Sequence, residues 1–219
     1  MREVSIVSSP LPDSPAYYKI LSMEREDGPV REDSWEQLIG EVEACTACRL
    51  CETRGRAVPG EGDRSARVLF VGEGPGAEED RQGRPFVGPA GMLLEKMLRA
   101  INLKREDVYI ANIIKCRPPG NRVPADTEAK ACLPFLRRQL KLISPRVIVC
   151  LGTTAARYVM DPDARVTRDR GRWMERSGFS MLATYHPAAL LRDETLLIDA
   201  WRDIKMLEKK LAELEAMDA

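Results

Sequence analysis

The chain reads as an α/β protein built on a mainly parallel sheet. Three observations predict this. From residue 66 onward, short apolar runs alternate with amphipathic helical patterns. Three of the four runs are β-branched and nearly continuous, as expected of strands buried on both faces. The Gly, Asn and His residues that break the patterns fall at the ends of those runs. The runs are Val68–Val71, Val108–Ile114, Val147–Leu151 and Phe179–Tyr185. Helical spacing covers Gly91–Ile101, Ala125–Ile143 and Thr153–Met160, and strands alternating with helices imply a layered sheet. The tail, Asp199–Leu214, places Trp201, Ile204, Leu207, Leu211 and Leu214 on one face and predicts an amphipathic helix packed on the domain.

The remaining elements lie upstream. A short helix is expected from Ser34 to Ala44, leading into a cysteine pair. Residues 1–33 are rich in Ser, Pro, Asp and Glu without sustained periodicity, and read as an N-terminal extension that is partly disordered. Residues 34–219 form the predicted folded domain. Hydrophobic residues make up 44% and charged residues 31% of the 219, the balance of a globular chain with material for a sizeable core. No run approaches the ~20 apolar residues of a membrane span. No apolar segment follows Met1-Arg2-Glu3 as in a secretory signal, so a cytoplasmic, non-membrane protein is expected.

Net charge is zero, but its distribution is uneven. Residues 1–44 hold ten acidic against four basic residues, which leaves 30 basic against 24 acidic in the rest. Arg165, Arg168, Arg170, Arg172 and Arg176 fall within twelve residues, and Lys115, Arg117 and Arg122 form a second group. Such groups can neutralise phosphates, although a solvated polar face has the same composition.

Six cysteines and one histidine are present. Cys45, Cys48 and Cys51 follow at successive three-residue steps, while Cys116 and Cys132 lie far downstream. Thiolates at this spacing suit zinc or an iron–sulfur centre, and spacing alone leaves the metal undecided. A ferredoxin-type run would require a fourth Cys-Pro nearby, which Glu52-Thr53-Arg54 does not provide. Cys150 lies inside an apolar run and reads as core.

In an open parallel sheet, ligands bind beyond the carboxyl ends of the strands. Four unusual segments follow the four runs and would meet there: Gly72–Gly76, Asn112 with Lys115-Cys116, Gly152-Thr153, and His186-Pro187. The glycine-rich turn is neither a dinucleotide fingerprint nor a P-loop, since the required spacing and the Gly-Lys-Ser/Thr are absent. It permits close approach of a ligand to the backbone. Phe86, in the loop Pro85–Gly88, is either a core plug or a platform for a flat ring. Asn112 interrupts β-branched residues, and its amide must find partners in neighbouring backbone or in a ligand.

These segments resemble those of the family 4 uracil-DNA glycosylases, which are iron–sulfur enzymes. The matching stretches are CTACRLCETR (45–54), GEGPGAEED (72–80), GRPFVGPAG (83–91), YIANIIKCRPPGNRVP (109–124), EAKAC (128–132) and YHPAALLR (185–192). The similarity spans about residues 36–210. It implies a three-layer α/β/α sandwich around a short sheet, and hydrolysis of the N-glycosidic bond of deoxyuridine flipped out of single- or double-stranded DNA. It further implies a 4Fe-4S cluster on Cys45, Cys48, Cys116 and Cys132, with Cys51 spare. By the same resemblance Phe86 stacks on uracil, Asn112 pairs with O4 and N3–H, and His186 donates to O2. Gly72, Glu73 and Gly74 line the pocket, with Glu73 orienting water or stabilising the sugar cation. Leu190, Leu191 and Arg192 probe the duplex, and Arg168, Arg170 and Arg172 contact phosphates.

Two alternatives differ in chemistry. A related iron–sulfur protein traps uracil covalently through a His in an inserted basic loop, but no His lies between Tyr109 and Pro124. A non-catalytic DNA-binding module of the same fold would have no use for Phe86, Asn112 and His186 together. No repair partner is indicated, and a monomer is expected.

Overall fold

A computed structural model describes residues 34–218; the extension expected over residues 1–33 lies outside the described residues. A single six-stranded sheet runs through the middle of the protein. Its strands are β1 (Glu61–Gly62), β2 (Val68–Gly72), β3 (Tyr109–Asn112), β4 (Val147–Leu151), β5 (Trp173–Arg176) and β6 (Phe179–Thr184). They lie in the order β1-β3-β2-β4-β6-β5. The inner four are parallel, and β1 and β5 close the two edges antiparallel.

The helices are α1 (Trp35–Glu43), α2 (Ala77–Gln82), α3 (Pro89–Arg99), α4 (Asp126–Ile143), α5 (Gly152–Val159), α6 (Val166–Asp169), α7 (Pro187–Leu190) and α8 (Leu197–Asp218). The period-2 rule sends alternate strand residues to opposite faces. Leu69, Val71, Ala111, Ile148 and Cys150 pack under α4 and α5. Val68, Phe70, Ile110, Val147 and Val149 pack under α3 and α8. The two cores make the three-layer sandwich, and explain why the strands are apolar without alternation.

Three expectations are corrected. The second strand stops at Asn112 rather than Ile114. The edge strands β1 and β5 were not foreseen, because two residues and a half-exposed Trp173-Met-Glu-Arg carry no apolar run. Strands β5 and β6 form a two-residue hairpin with Ser177 at φ 50° and Gly178 at φ 82°, both left-handed as a type I′ turn requires. Finally, Trp201 lies 44% exposed, whereas Ile204, Leu207 and Leu214 of the same tail helix are buried.

Candidate functional site

The four unusual segments converge. At the carboxyl rim of the sheet opens a cleft of about 610 Å³, within the range of small-molecule sites. Glu73, Gly74, Phe86, Asn112 and His186 all line it.

Register places the first two groups. Gly72 at the end of β2 pairs with Asn112 at the end of β3. A Cβ on Gly72 would lie 2.4 Å from Asn112 Oδ1 and 2.6 Å from Phe86 Cζ. Only glycine lets this amide and this ring meet over the strand end. Asn112 is 1% exposed, and its Oδ1 has no hydrogen-bond partner. A buried acceptor left unpaired costs about 1–3 kcal/mol. Asn112 lines the cleft and carries there a buried acceptor without a partner.

Phe86 stands at φ 50°, a left-handed conformation that costs a side-chain-bearing residue about 1–2 kcal/mol. Two clamps hold it. The buried Glu79 carboxylate accepts from the backbone N–H of Val87 (2.9 Å) and Gly88 (2.8 Å) through Oε1, and from that of Gly76 (3.1 Å) through Oε2. The Arg105 guanidinium donates to the Phe86 carbonyl at 2.8 Å and to the Pro85 carbonyl. The Phe86 side chain packs in the core under α3 and also lines the cleft.

His186 caps α7. Its Nδ1 accepts from the Ala188 N–H at 3.1 Å, so the neutral ring must carry its proton on Nε2. Burial, and then the nearby Arg192 charge, lower its pKa from 6.5 to about 4. At neutral pH it is therefore an uncharged donor. Its ring centroid lies 5.5 Å from that of Phe86, with the planes 32° apart. Glu73 accepts through Oε2 from the Thr154 hydroxyl at 2.5 Å.

The expected DNA-contacting residues separate into distinct groups. Arg192 lines the cleft, and Leu191 is 51% exposed. Leu190 is buried in the core. Arg168 is exposed beside Asp169, and Arg172 is exposed. Arg170 is engaged internally: it chelates the buried Asp203 carboxylate at 2.6 and 2.8 Å, and donates to the Asp199 carbonyl. Lys115, grouped with surface cations on sequence grounds, is fully buried. Sequence reasoning passed over Thr154, Arg157 and the anchoring role of Glu79. Arg122 and Arg157 face the cleft beside Arg192. Nothing in the local pattern distinguishes Thr154 and Arg157 from ordinary helix-surface residues.

A second hollow lies between the segment after α1, the segment after β3 and α4. Cys45, Cys48, Cys51, Cys116 and Cys132 line it, with apolar Val42 and Phe135, and no carboxylate or imidazole does. Three donors point at sulfur: Ala47 N–H at Cys45 (3.5 Å), the Lys115 backbone N–H at Cys132 (3.2 Å) and Arg54 Nη1 at Cys116 (3.1 Å). Burial pushes the Cys132 thiol up to about 11 and raises Cys48 and Cys116. Such thiols ionise only if a cation offsets the burial, and N–H groups aimed at sulfur suit metal-bound thiolates. Among the described residues no three His, Cys, Asp or Glu close on a single ion. The all-thiol donor set is of the kind that suits a soft metal.

Among the described residues no helix is long and apolar enough to cross a membrane. The model of the uracil DNA glycosylase superfamily matches residues 59–208. A type-4 uracil-DNA glycosylase of Thermotoga maritima is 47% identical over 169 residues, 75% of this chain and 87% of that one. One from Archaeoglobus fulgidus is 43% identical over 80% of this chain and 92% of its own. A type-5 enzyme of Pyrobaculum aerophilum is 35% identical over 62% and 67%. A family model over more than half the chain, joined to close similarity along nearly the whole length of the type-4 relatives, shows that this chain belongs to the uracil DNA glycosylase superfamily and to its type-4 group.

Proposed function

We propose that the protein excises uracil from DNA by hydrolysing the N-glycosidic bond of a flipped deoxyuridine, leaving an abasic site for base-excision repair. The observation that carries this is the orphaned Oδ1 of Asn112, a residue that lines the cleft with Phe86 and His186. Uracil N3–H is the donor that this oxygen lacks, and O4 accepts from the amide NH2. Cytosine presents the opposite polarity at both atoms, and a mismatched buried edge is how a site gains large discrimination. Phe86 stacks on the flat ring. His186, neutral and protonated on Nε2, donates to O2, where negative charge grows as the bond to the sugar breaks. Glu73 orients the attacking water or steadies the positive sugar. Arg122, Arg157 and Arg192 offer charge to the phosphates, with Arg168 and Arg172 further out and Leu191 at the helix-facing edge.

Cys45, Cys48, Cys116 and Cys132 would hold a 4Fe-4S cluster, with Cys51 spare. When bound, the cluster supplies a structural cross-link and no electron to the hydrolysis. The cysteines tie the segment after α1 to β3 and α4, and so brace the strand that carries Asn112. The protein acts as a monomer in the cytoplasm.

The test is alkali-dependent cleavage of a labelled strand containing one deoxyuridine, against a thymine control and the Asn112→Ala variant. Product at uracil only, over multiple turnovers and lost in the variant, is the expected result. An inactive native protein would sink the reading.

A further inference from the structure

Glu73 has one hydrogen-bond partner for its carboxylate among the described residues, and it comes from 81 positions away. The reason lies in the sheet order. Strands β2 and β4 are neighbours, so the turn after β2 and the first turn of α5 face each other across the cleft. Gly152 begins α5 at φ 88°, a left-handed value, and this bend turns Thr153 and Thr154 toward the cleft. The two threonines then diverge. The Thr153 hydroxyl accepts from the Val166 N–H at 3.3 Å and anchors α6. The Thr154 hydroxyl donates to Glu73 Oε2 at 2.5 Å.

We propose that Thr154 is a positioning residue for Glu73, aiming its carboxylate at the reacting nucleotide. The inference rests on the uracil-excising reading of the cleft. A glutamate on a glycine-flanked turn has three free side-chain torsions and little local restraint. One hydroxyl donor fixes Oε2 and leaves Oε1 to face a water or the sugar. A small misplacement of such a group is expected to cost up to about 100-fold in rate, because orientation is lost while binding groups elsewhere are untouched. The base-reading residues Asn112, Phe86 and His186 do not bond to Thr154, so substrate affinity is predicted to stay.

The test compares native protein with Thr154→Val, Thr154→Ser, Glu73→Gln and the Glu73→Gln/Thr154→Val pair. It measures single-turnover excision and separately the Kd for DNA carrying a non-hydrolysable deoxyuridine analogue. Valine keeps the volume and β-branching of threonine and removes only the hydroxyl. The expected result is a 10- to 100-fold slower excision in Thr154→Val with Kd unchanged within about threefold, and recovery to within about threefold in Thr154→Ser. The double variant is expected to be no slower than Glu73→Gln, since residues acting as one unit are non-additive. Excision by Thr154→Val at the native rate while Glu73→Gln is inactive would overturn the inference. So would equal loss in Thr154→Val and Thr154→Ser, which marks a packing role. A native-rate Glu73→Gln removes what Thr154 is said to position and also overturns it. Failure of the underlying reading is seen separately, as a native protein that excises nothing.

Discussion

The ammonium of Lys115 lies 2.9 Å from the main-chain oxygen of Asn112, deep beneath the cleft. The same nitrogen donates to Gln139 Oε1 at 2.7 Å, and the Lys115 backbone N–H reaches the sulfur of Cys132. One residue thus connects the strand end that carries Asn112 with the cysteine hollow. Burial lowers its pKa to about 8, which still leaves it mostly protonated at neutral pH. Lys115→Met is expected to leave two buried acceptors unpaired and to destabilise the fold by about 3 kcal/mol. Urea unfolding measures this directly, and an unchanged midpoint would contradict it.

Removal of the proposed cluster should act through stability. Loss of the proposed cluster by chelation or oxidation is expected to lower the melting temperature and to weaken excision in parallel, because its cysteines would brace β3. Cys132→Ser should lack the brown absorbance of an iron–sulfur protein. Cys51→Ser should keep it, although Cys51 lines the same hollow. A colourless Cys51→Ser protein would move Cys51 into the ligand set.

His186 sets a pH dependence with a definite sign. Its folded pKa of about 4 lies below the unfolded value near 6.5. Between these values the unfolded chain binds more protons, so stability is full above pH 6.5 and declines as pH falls toward 4. The neutral Nε2–H donor persists over the same interval. Single-turnover excision should therefore show no His186 limb near pH 6.5 and should weaken only near pH 4. A rate that halves at pH 6.5 and keeps this limb in native protein but not in His186→Gln would show that the ring titrates normally.

Glu79 holds the loop that carries Phe86. Its carboxylate accepts three backbone N–H groups, and an amide can supply acceptors on one atom only. Glu79→Gln is expected to cost about 2 kcal/mol and to raise KM for uracil-containing DNA more than it lowers kcat, as the left-handed Phe86 relaxes. Denaturation together with steady-state kinetics separates the two effects.

The arginines are predicted to divide by burial. Arg170→Ala strips the buried Asp203 of its charged partner and should cost about 3–5 kcal/mol, with the salt dependence of DNA binding unchanged. The Asp203 carboxyl is already raised by burial and held back by Arg170 and the Thr184 hydroxyl. Arg192→Ala should leave stability near native and reduce the salt slope of binding by about one. Binding titrations at several salt concentrations distinguish the two.

Much was legible in the order of residues. Continuous β-branched runs point to strands covered on both faces, because a parallel sheet between helix layers buries every residue of its inner strands. The rule that ligands gather at the carboxyl ends then brings Glu73, Asn112 and His186 to one rim before any coordinates are known. Short polar edge strands escaped notice, since β1 and β5 acquire their conformation from the strand they pair with and not from their own composition. The partnerships of long side chains were decided only by the tertiary structure. Arg168 and Arg170 are two positions apart, yet one is solvated and the other closes on Asp203, because the α8 helix places that carboxylate beside only one of them. Thr154 meets Glu73 for the same kind of reason: adjacency of β2 and β4 is a property of the sheet, and local sequence carries no trace of which strand will lie next to which.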